Sequence, residues 1–153
     1  MARLLVVGNV NADRVLRLEA PLCRGDDVKA ADLGYRLGGA AANTASALCR
    51  AGHTVRLVGA IGSDAAGDAL VTELARWPWD ARGVTRLPGP TPQCVILVEP
   101  DGERTIVSVQ GHQDPPSWPE IDLGGVDAVY VGSRTPPPDA VFTAARARGV
   151  PLV

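Results

Sequence analysis

The sequence predicts an α/β layer built on a parallel sheet, with a small second sheet standing off it. Two observations carry this. Short apolar, β-branched runs closed by glycine alternate with stretches of helical period, the pattern of strands and crossover helices in a parallel sheet. Other extended stretches have mixed polarity and do not suit a strand covered on both faces.

The elements follow in chain order. Residues 3–8 (RLLVVG) read as a buried strand, because the apolar run is short and ends in Gly-Asn. Residues 14–19 (RVLRLE) and 28–37 (VKAADLGYRL) read as weaker strands of an exposed small sheet. A helix over 40–51 places Ala41, Ala45, Leu48 and Cys49 on one apolar face. Residues 54–60 (TVRLVGA) form a second buried strand. Asp64 is placed to cap a helix over 65–77, with Ala66, Leu70 and Leu74 along one stripe. "CVILVEPDGERTIVSV" (94–109) is a β-hairpin turning at Pro100-Asp101-Gly102. Residues 114–120 are a proline-rich loop, 126–132 (VDAVYVG) a buried strand and 139–149 (DAVFTAARARG) a helix, and 150–153 opens a further strand.

Composition narrows the function classes. The chain has 153 residues, 46% of them hydrophobic and 21% charged, which suits one globular domain. A net charge of −2 with interspersed signs gives no basic footprint for nucleic acid. The apolar run at 4–7 is too short for a secretory or membrane segment, so a cytoplasmic protein is expected. Cys23, Cys49 and Cys94 show no CxxC spacing and read as free thiols of a reducing compartment. His53 and His112 lie far apart, so a metal held by side chains alone is not expected.

The chemistry gathers at "LGGAAANTASALCRAG" (37–52). Gly38 and Gly39 precede a helix N-terminus, where unpaired N–H groups attract electron-rich groups and glycine permits close approach. A tight turn would explain the glycines taken alone. No Lys-Ser or Lys-Thr follows, which excludes a P-loop, and GxGxxG is absent. Asp13 lies past the carboxyl end of the first strand, the edge where open α/β sheets bind ligands. Its carboxylate can accept from two adjacent hydroxyls, and Asn11 and Asn43 offer donors and acceptors. This set suits a neutral, hydroxyl-rich molecule better than a phosphate, which the carboxylate would repel. Asp64 and Asp68 are explained by capping and dipole complementarity. Gln110 and His112 follow the hairpin, and either reach a ligand when that sheet closes as a lid or remain exposed loop residues. Arg134 follows the strand at 126–132, on the ligand edge.

"VVGNVNAD", "LGGAAANTASALCRAG", "VGAIGSDAAGDAL" and "PDGERTIVSVQG", in that order, closely resemble the N-terminal half of ribokinase-like (PfkB) carbohydrate kinases. The resemblance implies a doubly wound α/β core, a β-sheet lid and ATP-dependent phosphorylation of a sugar or nucleoside hydroxyl, with Mg²⁺ as partner of the nucleotide. By position it implies that Asn11, Asp13, Gly38, Gly39 and Asn43 hold the sugar, and that Gln110, Gly111 and His112 lie where lid and site meet. It also implies pairing of lid strands, at 28–37 and 94–109, into a homodimer. Ala40 stands where ribokinase itself resembles GGKGAN, Arg134 where a glutamate is frequent, and Gly111-His112-Gln113 where many members read Gly-Ala-Asn. These departures point away from ribose and make an acidic or phosphorylated sugar conceivable.

The family's Asp-Thr-x-Gly-Ala-Gly-Asp motif, which carries the ATP site, anion hole and catalytic base, belongs to the second half of the fold and is not found in this sequence. No catalytic residue is therefore assigned, and the ending at "GVPLV" is expected to reflect a fragment, a truncated product or one part of a split enzyme. Set against this is a module that binds a polyol, or dimerises through its lid, without chemistry. A nucleotide-binding redox domain is disfavoured by the missing fingerprint.

Overall fold

The computed structural model describes residues 1–109, 121–132 and 139–153. In chain order the elements are β1 (Arg3–Gly8), β2 (Asn11–Leu18), β3 (Ala30–Gly38), α1 (Ala40–Arg50), β4 (Thr54–Gly62), α2 (Ala65–Leu74), β5 (Asp80–Leu87), β6 (Gln93–Val98), β7 (Arg104–Val109), β8 (Ala128–Gly132) and α3 (Asp139–Ala147). They form two four-stranded sheets. The core sheet has the order β5-β4-β1-β8, and the second has the order β3-β2-β6-β7.

The core sheet is parallel throughout. β1 lies inside it, so both of its faces are covered, as its unbroken apolar run requires. Alternation divides that run between two cores. Val6 points into a cluster with Val10, Ala41, Ala45, Leu57, Ile61 and Leu70, beneath α1 and α2. Leu5 and Val7 point the other way, into a cluster with Val58, Leu123, Val129 and Ala145, which brings in α3. Helices thus cover both faces, the doubly wound arrangement that the motif order implies. The alanines of α1 have a structural reason: a Cβ at Gly132 would stand 3.0 Å from the Ala41 nitrogen, so the helix starts almost in contact with the end of β8.

The second sheet is mixed. β2 pairs antiparallel with β3 and parallel with β6, and β6 pairs antiparallel with β7. The hairpin closes where expected, with the Gly102 N–H donating to Glu99 O at 2.9 Å and Gly102 at φ +91°. Every residue of β7 is exposed.

Three expectations need correction. First, the strand expected at 14–19 spans Asn11–Leu18, so Asp13 lies within it and not just ahead of it. Second, β5 was not foreseen. "DARGVTRL" carries two arginines and a glycine, but an edge strand needs only one apolar face, and Ala81 and Val84 supply it. Third, the helix from 65 ends at Leu74, short of 77. Trp79 Nε1 donates to Leu74 O at 3.0 Å, and the Trp77 and Trp79 rings stack at 5.1 Å, so the last turn is held by a side chain. The end of the chain makes one parallel bridge, Val129 to Leu152. The proline-rich loop at 114–120 lies outside the described residues. Among the described residues no helix is long and apolar enough to cross a membrane.

Asp64 caps α2 as expected and does more. Its Oδ1 accepts from Gly67 N at 2.9 Å, its Oδ2 accepts from Thr91 N at 3.1 Å, and the Thr91 hydroxyl also donates to it. The buried Thr91 Oγ1 in turn accepts from Gly62 N at 3.0 Å. Burial pushes the Asp64 carboxyl up, but the bonds from Thr91 and Gly67 together outweigh it and leave its pKa lowered. A depressed carboxylate contributes stability above its unfolded pKa, and that contribution disappears as pH falls through the folded value. Thr91→Val should therefore destabilise the fold by about 1–3 kcal/mol at pH 7 in urea denaturation, with a smaller penalty in acid. An unchanged midpoint at pH 7 would show that the Asp64–Thr91 bond holds nothing together.

Candidate functional site

The two sheets meet where 9–13 passes 38–39. The Asn9 N–H donates to Gly132 O at 2.9 Å, which ties the link between β1 and β2 to the end of β8. Gly39, at φ +93°, follows β3 and leads into α1, and a Cβ there would lie 2.4 Å from Asn9 O and 3.0 Å from Asn11 N. Only glycine fits, on both conformation and space. Gly38 pairs with Asn11 in the β2–β3 register, and a Cβ on it would stand 2.1 Å from Asp13 Oδ2. The carboxylate thus lies directly against the bare Cα of Gly38.

This crossing is short of internal hydrogen bonds among the described residues. Asn9 Oδ1 and Asn11 Oδ1 are buried and have no partner among the described residues. Burial raises the Asp13 pKa, and the Cys94 thiol across the β2–β6 register only partly opposes it. Buried polar atoms without partners are uncommon and point to a ligand that supplies them. α1 opens from Gly39 with no side chain capping its N-terminus. Asn43 N donates to Gly39 O at 2.9 Å, and the Asn43 side chain is exposed on the first turn.

The structure therefore brings together Asn11, Asp13, Gly38 and Gly39, with Asn43 on the helix that leads away from them. Gln110, His112 and Arg134 lie outside the described residues. Sequence reading missed Asn9, Cys94 and Ser108. Cys94 receives a long contact from Asn11 Nδ2 at 4.0 Å, and its sulfur is 3.9 Å from Ser108 Oγ. Only the pairing of β6 with β2 and β7 reveals them.

The donor set decides what can bind. A carboxylate, two carboxamides and a thiol suit a neutral molecule with several hydroxyls. They do not suit a triphosphate, because Asp13 would repel it beside the very amides that would receive it. Among the described residues no group of three or more His, Cys, Asp or Glu is placed to hold a metal ion. A cavity of about 450 Å³ lies elsewhere, between α2 and β5, lined by Leu74, Trp77, Trp79 and Val84. The arginines on its wall, Arg82 and Arg86, are paired with Asp80 and Asp68.

Known proteins share this architecture. The chain is 30% identical over 124 residues to a ribokinase of Arabidopsis thaliana, an alignment that covers 77% of this chain and 32% of that protein. The structure of Arabidopsis thaliana ribokinase complexed with ribose and ATP superposes with a TM-score of 0.76 at 25% identity, covering 99% of this chain and 52% of the other. A ribokinase of Cryptococcus neoformans in complex with ADP matches with a TM-score of 0.65 at 28% identity, covering 96% and 45%. The chain thus spans between about a third and about half of the length of these relatives. The pfkB family carbohydrate kinase model matches residues 1–150, so the chain belongs to the pfkB family of carbohydrate kinases.

Proposed function

We propose that this chain forms the sugar-binding part, with its lid, of an ATP-dependent kinase that phosphorylates a hydroxyl of a sugar or nucleoside. The observation that carries this reading is the Asp13 carboxylate, lodged against Gly38 on a segment where the buried carboxamide oxygens of Asn9 and Asn11 have no donor among the described residues. Two neighbouring hydroxyls of a polyol would donate to Asp13, and others to Asn9 and Asn11. The open N-terminus of α1 and Asn43 would meet the far side of the ring. Such contacts fix which hydroxyl faces the phosphoryl donor, and that positioning is a large part of what an enzyme contributes to phosphoryl transfer. The second sheet would act as the lid that excludes water while the sugar is held. Gln110, His112 and Arg134 are assigned to the sugar on the strength of the family resemblance. Ala40 and Arg134 favour a sugar other than ribose, an acidic or phosphorylated one included. ATP, bound with Mg²⁺, supplies the transferred group. The site described does not fit it, so we assign it to the remainder of the family fold.

The lid also suggests self-association. β7 is a sheet edge, and Ile106, Val107 and Val109 are 51%, 49% and 47% exposed on it. An uncovered apolar edge strand is a template for pairing. We assign it to a second copy of this chain. Val107→Glu should convert a dimer to a monomer in sedimentation velocity, and a monomeric parent chain would overturn the assignment.

Calorimetric titration of the chain with D-ribose, D-fructose and adenosine tests the site. Asp13→Ala should weaken the tightest of these by roughly 10- to 100-fold, the loss of a charged hydrogen-bond acceptor. Gly38→Ala should do the same by displacing the carboxylate. Unchanged affinity in both variants would remove the site. Rapid sugar phosphorylation by this chain alone would overturn the assignment of ATP to the rest of the fold.

Asp13 also makes a prediction about stability. A carboxyl with a raised folded pKa favours folding most while protonated, and that advantage is lost as pH rises from the unfolded value through the folded one. At pH 7 the buried charge opposes folding. Asp13→Asn should therefore raise the melting temperature at pH 7 while weakening sugar binding, and a lower melting temperature would contradict the burial argument.

A further inference from the structure

One level of the second sheet carries an unbroken polar row. Arg36 on β3 pairs with Asp13 on β2, Asp13 with Cys94 on β6, and Cys94 with Ser108 on β7. Register partners on neighbouring strands share a face, so guanidinium, carboxylate, thiol and hydroxyl all stand on one side of the sheet. Arg36 turns aside, and its Nη1 donates to the Tyr35 carbonyl at 2.9 Å. Cys94 does the opposite. Its sulfur lies across from Asp13, 4.0 Å from Asn11 Nδ2 and 3.9 Å from Ser108 Oγ. One thiol thus stands among the two side chains of β2 assigned to the sugar and a hydroxyl of the outermost lid strand.

We propose that Cys94 is a positioning residue of the sugar site, which fixes the Asp13 carboxylate and the Asn11 carboxamide in one orientation and links them to Ser108 on the edge of the lid. This inference rests on the polyol reading of the site. A carboxylate against a bare glycine has no side chain on that flank to limit its rotation, so whatever stands opposite sets its direction. A thiol is a weak donor between neutral groups, but a charged acceptor strengthens the contact. The sulfur also receives the Asn11 amide, which leaves the buried Asn11 Oδ1 without a donor among the described residues.

Among the described residues, Arg17 stands four positions along β2 from Asp13, opposite Ala31 and Val98. Arg14 is paired with Asp32, and on α2, which packs against β2, Asp68 is paired with Arg86 and Glu73 with Arg76. Arg104 stands at the far end of β7, opposite Val98. Among the described residues, burial raises the Asp13 pKa and the Cys94 thiol, its register partner on β6, opposes the rise.

The test follows the Asp13 carboxyl carbon by NMR as pH is varied, in the 153-residue chain and in its Cys94→Ala and Cys94→Ser variants, with D-ribose and D-fructose binding measured on the same samples. Cys94→Ala should move the Asp13 midpoint to higher pH and weaken the bound sugar about threefold to tenfold, whereas Cys94→Ser, which keeps a donor, should restore both. A purely space-filling role would not restore the midpoint through a hydroxyl. Should Cys94→Ala fold poorly, Cys94→Ser and Cys94→Val still separate donor from volume. An Asp13 midpoint unmoved by removal of the donor overturns the role of Cys94, whatever the sugars do. A parent chain that binds neither sugar, while its Asp13 midpoint still depends on Cys94, overturns the polyol reading instead.

Discussion

The structure depends on one steric constraint: two stretches of backbone cross with no side chain between them. Gly39 passes within van der Waals range of the 9–11 segment, and Gly38 receives a carboxylate where any other residue would carry its Cβ. From that crossing the rest is placed. β3 ends there because Gly38 is the last register partner of Asn11, and α1 begins there because Gly39 adopts a conformation open mainly to glycine. The alanines of α1 then allow the helix to lie close over the core sheet, against the end of β8. The two sheets are joined, the helix is aimed and the cleft is opened by the same pair of residues.

Two aspartates show how the fold separates structure from binding. Asp64 is met by Thr91 and Gly67, and its pKa is held down by donors that outweigh its burial. Asp13 is half-buried with a single thiol opposing the effect, and its pKa rises. The first is complete within the protein. The second lacks such donors among the described residues, as do the buried Asn9 Oδ1 and Asn11 Oδ1.

Legibility in the sequence followed the range of the interactions. RLLVVG and TVRLVGA declare themselves because a strand covered on both faces must be apolar at every position. Asp64 before α2 and Gly102 in the hairpin are local signals, and both are read from a few residues. β5 escapes because one of its arginines, Arg86, is neutralised by Asp68 on α2, a pairing that its own sequence does not display, while Arg82 is met by Asp80 two residues before it. The site divides in the same way. Asp13, Gly38 and Gly39 stand out by residue type, while Cys94 and Ser108 join them only through strand pairings between distant segments. Gln110, His112 and Arg134 fall outside the described residues, so their placement rests on motif order.

The parallel pairing of β2 with β6 has a consequence for the order of assembly. Ala12 meets Gln93, and the chain between them contains β3, α1, β4, α2 and β5, which include two of the four core-sheet strands and two of the helices that cover them. Closing so long a loop is entropically unfavourable unless the intervening segment is already compact. β6 can therefore join β2 readily only once the core has condensed, and Cys94 and Ser108 arrive at Asp13 with it. Cys94 and Ser108 are then late additions to an existing crossing, so substitutions there bear less on folding than substitutions at Gly38 or Gly39, where the backbone has no room for a side chain.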